Sequence, residues 1–159
     1  MKILVTGSNG LLGQKLVSLL QKDKQIHLIA TARQASVLPI KKGEFLTLDI
    51  TNNIDVENVI SSTLPDVIIN TAAMTQVDQC ETERELCWTA NVKSMEHLIA
   101  SCTKHNIHLV HVSTDFIFDG THGPLTEDEN PNPVNYYGES KLAAEQLLIG
   151  SSLHWSILR

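Results

Sequence analysis

The chain has 159 residues, of which 42% are apolar and 19% are charged, and its formal net charge is −6. This length is enough for one hydrophobic core and too short for two, so we expect a single domain. Lysines and arginines are scattered along the chain, with only Lys41 and Lys42 adjacent, which argues against a basic face for nucleic acid or a polybasic membrane patch. The sequence has no signal core and no apolar run of membrane-spanning length, and we therefore expect a cytoplasmic protein.

Short β-branched runs alternate with stretches of helical period along the whole chain. The predicted strands are KILVT, IHLIAT, FLTL, DVIIN, HLVHVS and HWSILR. The predicted helices cover residues 11–22, 52–62, 81–104 and 136–148. Because the strand runs are apolar throughout, they fit a parallel sheet that is covered by helices on both faces. The predicted fold class is α/β, a doubly wound parallel sheet of the Rossmann-like kind in three α/β/α layers.

The cysteines and clustered histidines do not predict a metal site. The three cysteines are Cys80, Cys87 and Cys102. They are odd in number and match no CxxC spacing, so we expect reduced packing residues. His105, His108 and His111 recur at every third position, yet strand alternation places His108 and His111 on opposite faces. We therefore predict no metal ligands among them.

The first predicted strand runs directly into a glycine-rich turn, Gly7-Ser8-Asn9-Gly10-Leu11-Leu12-Gly13, after which the pattern is helical. Glycine allows a backbone to approach a pyrophosphate, and a helix N-terminus offers free N–H groups and the positive end of its dipole. The turn therefore predicts a dinucleotide site, with a tight turn that binds no ligand as the alternative. Its predicted cofactor-binding residues are Gly7, Asn9, Gly10, Leu11, Leu12 and Gly13.

The end of the second predicted strand bears on the choice of cofactor. An acidic residue at this point would hold the ribose 2′-hydroxyl of NAD. Here the strand ends in Thr31-Ala32-Arg33, and an arginine pairs with a 2′-phosphate, which a carboxylate would repel. NADP(H) is therefore the preferred cofactor. NAD(H) stays open, since Arg33 could equally be a solvated surface charge.

A second group of residues predicts proton transfer to a carbonyl. Tyr137 and Lys141 are four residues apart, which puts them on one face of a helix. Thr114 follows the fifth predicted strand, at the end where open α/β sheets bind ligands. A phenol is a reluctant acid or base near neutrality, and we expect a nearby Lys141 ammonium to lower its pKa. Thr114 would hydrogen-bond the substrate carbonyl.

Four strings carry a resemblance: the first is similar to the glycine turn of the extended short-chain dehydrogenases/reductases, and the other three resemble one family among them, the dTDP-4-dehydrorhamnose reductases. The strings are TGSNGLLG, AAMTQVDQCE, STDFIFDG and PVNYYGESKLAAE. Met74 and Cys80 depart from the family pattern, and Phe116 and Ile117 are conservative changes. The match covers nearly the whole chain, although the family is about twice as long. We therefore expect residues 1–159 to form the NAD(P)-binding domain, with the C-terminal substrate-binding part absent from this chain.

The resemblance implies NADPH-dependent reduction of a 4-keto group on a dTDP-linked deoxysugar, in the synthesis of dTDP-L-rhamnose. It implies Thr114, Tyr137 and Lys141 as the catalytic triad, with Tyr137 and Lys141 also beside the nicotinamide ribose. Further cofactor contacts are implied for Asp49, Ile50, Ala72, Ala73 and Asn91. Asn91 could equally be a helix-face residue or mark a local kink. Thr75 and Asp78 would border the sugar together with Thr114.

Two alternative functions stay open. A nucleotide-sugar epimerase or dehydratase would share the fold and the triad, and Asp115 fits a dehydratase while Phe116, in place of a second carboxylate, does not. The non-catalytic β subunit of methionine adenosyltransferase also resembles these reductases and binds NADP. A homodimer is a further open prediction, and the fold alone cannot decide among these functions.

Overall fold

The computed structural model describes residues 1–159, and its centre is a sheet of six parallel strands. The strands are β1 (Lys2–Thr6), β2 (His27–Ala32), β3 (Glu44–Thr47), β4 (Val67–Asn70), β5 (His108–Val112) and β6 (Trp155–Leu158). Their order is β3-β2-β1-β4-β5-β6, and all neighbouring pairs are parallel. The chain therefore starts at the middle and winds outward in both directions, which confirms the predicted doubly wound sheet.

Six α-helices pack around the sheet. They are α1 (Leu11–Leu20), α2 (Asn53–Thr63), α3 (Val77–Thr82), α4 (Arg84–Trp88), α5 (Ser94–His105) and α6 (Tyr136–Ile149). A π-helical turn (Thr89–Lys93) joins α4 to α5, and a short 3₁₀ turn (Asp115–Ile117) follows β5. The helix predicted over residues 81–104 is therefore wrong as one element, because the backbone leaves helical torsions at Glu83 (φ −117°, ψ 54°) and widens at the π turn.

Both faces of the sheet are buried, which explains why the strand runs are apolar throughout. On one face Leu4, Ile68 and Leu109 pack against residues of α2, α5 and α6. On the other face Val5 and Leu28 pack against Val17 of α1 and against the segment that joins β2 to β3. Alternate residues of each strand point to opposite faces, so a strand covered on both sides is mostly apolar at successive positions.

The parallel arrangement brings the carboxyl ends of the strands to one edge of the sheet. The turn after β1, the start of the segment after β2, and the loops after β4 and β5 all lie at this edge. The chain changes its winding direction between β1 and β4, which opens a crevice at this topological switch point. The glycine-rich turn, Arg33, Ala72, Ala73 and Thr114 belong to these connections.

The cysteines and histidines have structural partners. All three cysteines are free and buried, as expected of packing residues. His108 Nε2 lies 3.0 Å from Ser156 Oγ on β6, whereas His111 Nδ1 lies 3.2 Å from Asn70 Nδ2 on β4. The two rings thus contact neighbouring strands on opposite sides of β5. None of the helices combines the length and apolar character needed to cross a lipid bilayer.

Candidate active site

The glycine-rich turn between β1 and α1 is held in a shape that only glycine allows at two positions. Gly7 has a φ of +65°, and a Cβ added there would lie 2.8 Å from Ala72 Cα. A Cβ on Gly13 would lie 2.2 Å from the carbonyl oxygen of Gly7. No side chain caps α1, so its first-turn amides are free, and Leu11 there is 80% exposed. The turn is an uncovered cradle of N–H groups that suits an anion.

Ser8, inside this turn, carries a buried polar atom without a protein partner. Its side chain is 4% exposed, and its backbone N–H donates to the carbonyl of Thr31 at 3.0 Å. The hydroxyl Oγ of Ser8 has no hydrogen-bond partner within the protein. Buried hydroxyls normally have a partner, so this oxygen fits a polar group of a ligand in the cradle. The sequence did not single out Ser8, since a serine in a turn is unremarkable by type.

Asn9 joins the turn to the segment that follows β2. Its side-chain amide donates to the carbonyl of Ala35 at 2.9 Å, and its Oδ1 accepts from the backbone N–H of Val37 at 3.1 Å. The side chain of Asn9 is therefore committed to that segment, and only its backbone is free to contact a ligand. Arg33 lies exposed between β2 and this segment, at the edge of the crevice.

The other predicted cofactor residues border the same edge. The carboxylate of Asp49 accepts from the backbone N–H and the hydroxyl of Thr51, at 2.9 and 2.7 Å, and so stabilises the turn that leads into α2. Ile50 is buried in the main core. Ala72 packs against Gly7, as described above, and Ala73 is half-buried next to it. The small side chains after β4 therefore leave space at the bottom of the crevice.

Thr75 and Asp78, the predicted sugar-bordering residues, lie on the surface just beyond the loop after β4. Both are exposed, and Asp78 is in the first turn of α3. Their predicted contact with a sugar stays a prediction.

Asn91 is buried in the π-helical turn and acts as a clamp. Its Oδ1 accepts from Met74 N at 2.8 Å, and its Nδ2 donates to Met74 O at 3.0 Å and to Ser140 Oγ at 2.9 Å. Its hydrogen-bond partners do not include Lys141. The helix widens to a π turn around this side chain, and π turns are frequent at functional sites.

Tyr137 and Thr114 face each other across the crevice. Tyr137 is 8% exposed, in the first turn of α6, and the ring of Phe116 packs against its edge at 5.9 Å. Burial raises the pKa of Tyr137, and the hydroxyl of Thr114 opposes that rise only in part. The expectation that Lys141 lowers the pKa of this phenol is therefore wrong. Desolvation dominates, because little water remains to stabilise a phenolate.

Lys141 is directed away from the phenol. Its Nζ donates to the carbonyl of Val112 at 2.7 Å and lies 3.1 Å from His111 Nε2. The side chain is 2% exposed, and burial lowers the pKa of Lys141 to about 8 against the opposing charge of Glu145. Tyr137 and Lys141 share a helix face as predicted, but in this structure the lysine contacts β5.

Two more residues of α6 support the site and were not predicted. A Cβ on Gly138 would lie 2.3 Å from the carbonyl oxygen of Phe116, so glycine lets α6 approach the segment that carries Thr114. Glu145 is fully buried and accepts from the hydroxyl of Ser113 and from Arg159, whose Nη2 is 2.7 Å away. Glu145 thereby ties α6 to the ends of β5 and β6. The only sequence signal was a carboxylate one turn after Lys141.

The crevice combines free backbone N–H groups, which can bind an anion, with the Tyr137 phenol, which can act as an acid. The Tyr137 phenol keeps its proton near neutral pH, and the Thr114 hydroxyl lies beside it. Such a pair can bind a carbonyl oxygen and pass it a proton when the carbonyl is reduced. The cradle and the acid lie at the carboxyl ends of β1 and β5, on the same edge of the sheet.

Known proteins are similar to this sequence over nearly its whole length. The chain is 37% identical to a dTDP-4-dehydrorhamnose reductase of Aggregatibacter actinomycetemcomitans, over 99% of this chain and 50% of that protein. It is 28% identical to the methionine adenosyltransferase 2 subunit beta of Bos taurus, over 99% of this chain and 46% of that subunit. The chain thus spans about half the length of the curated relatives it matches.

Solved structures agree with the fold and with the family. A dTDP-4-dehydrorhamnose reductase from Clostridium acetobutylicum superposes with a TM-score of 0.86 at 34% identity, over 99% of this chain and 52% of that chain. The enzyme of that name from Bacillus anthracis, solved with NADP, superposes with a TM-score of 0.79 at 30% identity, over 98% and 51%. The family model of the RmlD substrate binding domain matches residues 1–159. The family match therefore includes the glycine cradle and the positions of Thr114, Tyr137 and Lys141. The chain belongs to the RmlD substrate-binding domain family.

Proposed function

We propose that the full-length protein reduces the 4-keto group of a dTDP-linked deoxysugar with NADPH. The observation that carries this proposal is the meeting of the Tyr137 phenol and the Thr114 hydroxyl beside the glycine cradle. The reductases with which the chain shares 37% and 34% identity support the choice of reaction. The residues of the cradle fit a dinucleotide, because Gly7 and Gly13 leave no room for side chains and the Ser8 hydroxyl lacks a partner.

The chain's own residues handle the proton of this reaction. NADPH, when bound, supplies a hydride to the carbonyl carbon. Thr114 donates a hydrogen bond to the ketone oxygen and orients it. Tyr137 then gives that oxygen a proton as negative charge develops on it. Since burial raises the pKa of Tyr137, the phenol starts protonated at neutral pH, which is the form that a reduction requires.

The preference for NADPH over NADH rests on the end of β2. Arg33 is exposed there, and no carboxylate occupies the position that would hold a ribose 2′-hydroxyl. The NADP complex of the Bacillus anthracis enzyme supports the same choice. We propose residues 1–159 as the NAD(P)-binding domain, with most nucleotide-sugar contacts outside this chain. A cytoplasmic location and a homodimer stay predictions.

The chain offers a matched pair of tyrosines for the test. Tyr137→Phe removes the proposed acid, whereas Tyr136→Phe removes the hydroxyl of the adjacent tyrosine, whose ring packs against Trp88. In the full-length protein we expect Tyr137→Phe to lower kcat by about 100-fold or more, because general acid catalysis contributes about that much. Tyr136→Phe should leave kcat within the range of the wild type. The assay follows NADPH absorbance with dTDP-4-dehydro-6-deoxy-L-mannose as substrate.

A second function has one specific observation in its favour. The match to a methionine adenosyltransferase subunit covers 99% of this chain, so a regulatory role is a defined alternative. Tight NADPH binding without turnover in the wild type would support that role and contradict the reductase. Turnover that survives Tyr137→Phe would keep a reductase but contradict the assigned acid.

A further inference from the structure

A line of buried polar side chains runs behind the proposed catalytic lysine, across three strands and into α6. Thr6 Oγ1 donates to Asn70 Oδ1 at 2.6 Å, and Asn70 Nδ2 lies 3.2 Å from His111 Nδ1. His111 Nε2 lies 3.1 Å from Lys141 Nζ. None of the four side chains is more than 2% exposed. We call Thr6, Asn70, His111 and Lys141 the buried polar chain.

The hydrogen atoms of the buried polar chain can be assigned so that Asn70 donates to His111 and His111 donates to Lys141. A neutral imidazole has a single N–H, so only one of its nitrogens can donate. If Asn70 donates to Nδ1 of His111, then Nε2 carries the hydrogen and must donate to Lys141. Lys141 must then accept through a lone pair, which only a neutral amine has. In this direction every contact is satisfied when Lys141 is uncharged.

The opposite direction requires a charged lysine. When Nζ is an ammonium it donates to Nε2, so Nδ1 of His111 carries the hydrogen and needs an acceptor. Asn70 supplies one if its amide turns its oxygen toward the ring, since the two ends of an amide have nearly the same shape. The carbonyl of Val112 accepts from Nζ in both cases.

We propose that the direction of the buried polar chain sets whether Lys141 holds its proton, with Asn70 and His111 as positioning residues for that lysine. The importance of Lys141 to the reaction rests on the proposed function, but the count of protons does not. Nζ keeps one N–H free for a ligand hydroxyl in either direction, but in the charged state that N–H belongs to an ammonium and forms a stronger, charge-assisted hydrogen bond. A ligand group that accepts a hydrogen bond from Lys141 would therefore favour the second direction of the buried polar chain, in which Lys141 is charged.

The other ionisable groups around Lys141 do not remove this coupling. His111 stays neutral in both directions, since burial and the charge of Lys141 lower its pKa to about 2. On α6, Glu145 favours the charged lysine, but Arg159 from the end of β6 pairs with the same carboxylate. Tyr137, one turn earlier on α6, keeps its proton. With burial lowering the pKa of Lys141 to about 8, both states are accessible near neutral pH.

Asn70→Asp is the sharpest test. An aspartate carboxylate only accepts, so Nδ1 of His111 must donate to it, and in a neutral ring Nε2 must then accept from Lys141. We expect the titration midpoint of Lys141 in the full-length protein to rise by at least about one pH unit. The midpoint is read from the ε-carbon signal of ¹³C-lysine-labelled protein, with Lys141→Met identifying the signal.

The negative charge of the aspartate also raises the pKa of Lys141 directly, through space. Variants that lack the His111 imidazole separate this direct effect from the effect of the hydrogen-bond direction. Without the imidazole, in His111→Leu or the more flexible His111→Met, we expect Asn70→Asp to move the midpoint by less than half as much. An unchanged midpoint in Asn70→Asp alone overturns the proposal, as does an equal rise with and without His111. Because the signal is read without turnover, an inactive enzyme with these shifts would contradict only the proposed function.

Discussion

At the end of the crevice where we propose that adenosine binds, Arg33 is the residue on which we base the proposed preference for NADPH. It is exposed directly after β2, beside the segment that Asn9 holds through Ala35 and Val37. An arginine in that place can form a two-pronged, charge-assisted contact with a 2′-phosphate.

Arg33→Ala should weaken NADPH binding by about tenfold to 100-fold, because a hydrogen bond to a charged group contributes about 1.5–3 kcal/mol. NADH binding should not change, since NADH has no 2′-phosphate. Isothermal titration of the full-length protein with both cofactors measures the ratio. Lys15→Ala, which removes an exposed cation from α1, is the control and should leave both affinities unchanged. Equal losses for NADPH and NADH would show that Arg33 does not recognise the phosphate.

Single residues were predictable where spacing along the chain decides their position. Tyr137 and Lys141 share a helix face because they are four residues apart, and the structure confirms this. The direction of the lysine was not predictable, because its partner His111 is 30 residues away on β5. The pKa of Tyr137 was predicted in the wrong direction for the same reason, since burial is a property of the folded surroundings.

At the level of elements, the β1–α1 turn is built on a contact between two glycines. A Cβ on Gly13 would meet the carbonyl oxygen of Gly7 at 2.2 Å, and this carbonyl belongs to backbone that cannot move aside. The packing of α1 on β1 therefore depends on Gly13 having no side chain. The opening of the anion cradle depends on the same contact.

Gly13→Ala should destabilise the protein by about 1–3 kcal/mol, the usual cost of forcing an extra methyl group into a packed site. Urea unfolding followed by circular dichroism measures the difference. Gly123→Ala is a matched control, because a Cβ at Gly123 has nothing within 4 Å, and it should change stability by less than about 0.5 kcal/mol. Similar free energies of unfolding for both variants would contradict the assigned role of Gly13.

The region between β4 and β5 shows where element prediction reached its limit. Residues 81–104 have helical period, yet the structure has α4, a π turn and α5 there, preceded by α3 from Val77. Asn91 in the π turn holds the backbone of Met74, 17 residues earlier. Its other partner, Ser140, lies on α6. Such long-range contacts shape the helix, and periodicity contains no information about them.

For the whole molecule, the alternation of apolar strands and helices was enough to predict the sheet. Each strand is followed by a covering segment and then by another parallel strand, which is its neighbour in the sheet except at the step from β3 to β4, so the winding follows from the right-handed crossover rule. The apolar runs also fix which side chains enter the core. The partners of two buried ionisable residues were not predictable. His111 contacts Lys141, and Glu145 accepts from Ser113, only after the sheet has formed and α6 has packed on it.

Burial of neutral His111 should make the stability of the whole protein depend on pH. The pKa of His111 is lowered from 6.5 to about 2 in the folded state, so below pH 6.5 the unfolded chain binds a proton that the folded chain does not. The free energy of unfolding therefore falls as the pH is lowered, by about 2 kcal/mol between pH 7 and 5 for this one group.

Urea unfolding at both pH values, compared with His111→Gln, isolates this contribution. The wild type should lose about 2 kcal/mol more than His111→Gln on going from pH 7 to 5. His122→Gln, at an exposed position in the loop before α6, should behave like the wild type. Equal losses for the wild type and His111→Gln would mean that His111 takes up a proton in the folded state.

The most direct test of the proposed reaction is to follow the hydride itself. Full-length protein is incubated with NADPH deuterated at C4 of the nicotinamide and with dTDP-4-dehydro-6-deoxy-L-mannose. We predict a product with one deuterium on C4 of the sugar, located by mass spectrometry and NMR, and none with Tyr137→Phe over the same time. Cofactor binding with no deuterium in the sugar, from folded wild-type protein, would contradict the proposed reductase activity and favour a regulatory subunit.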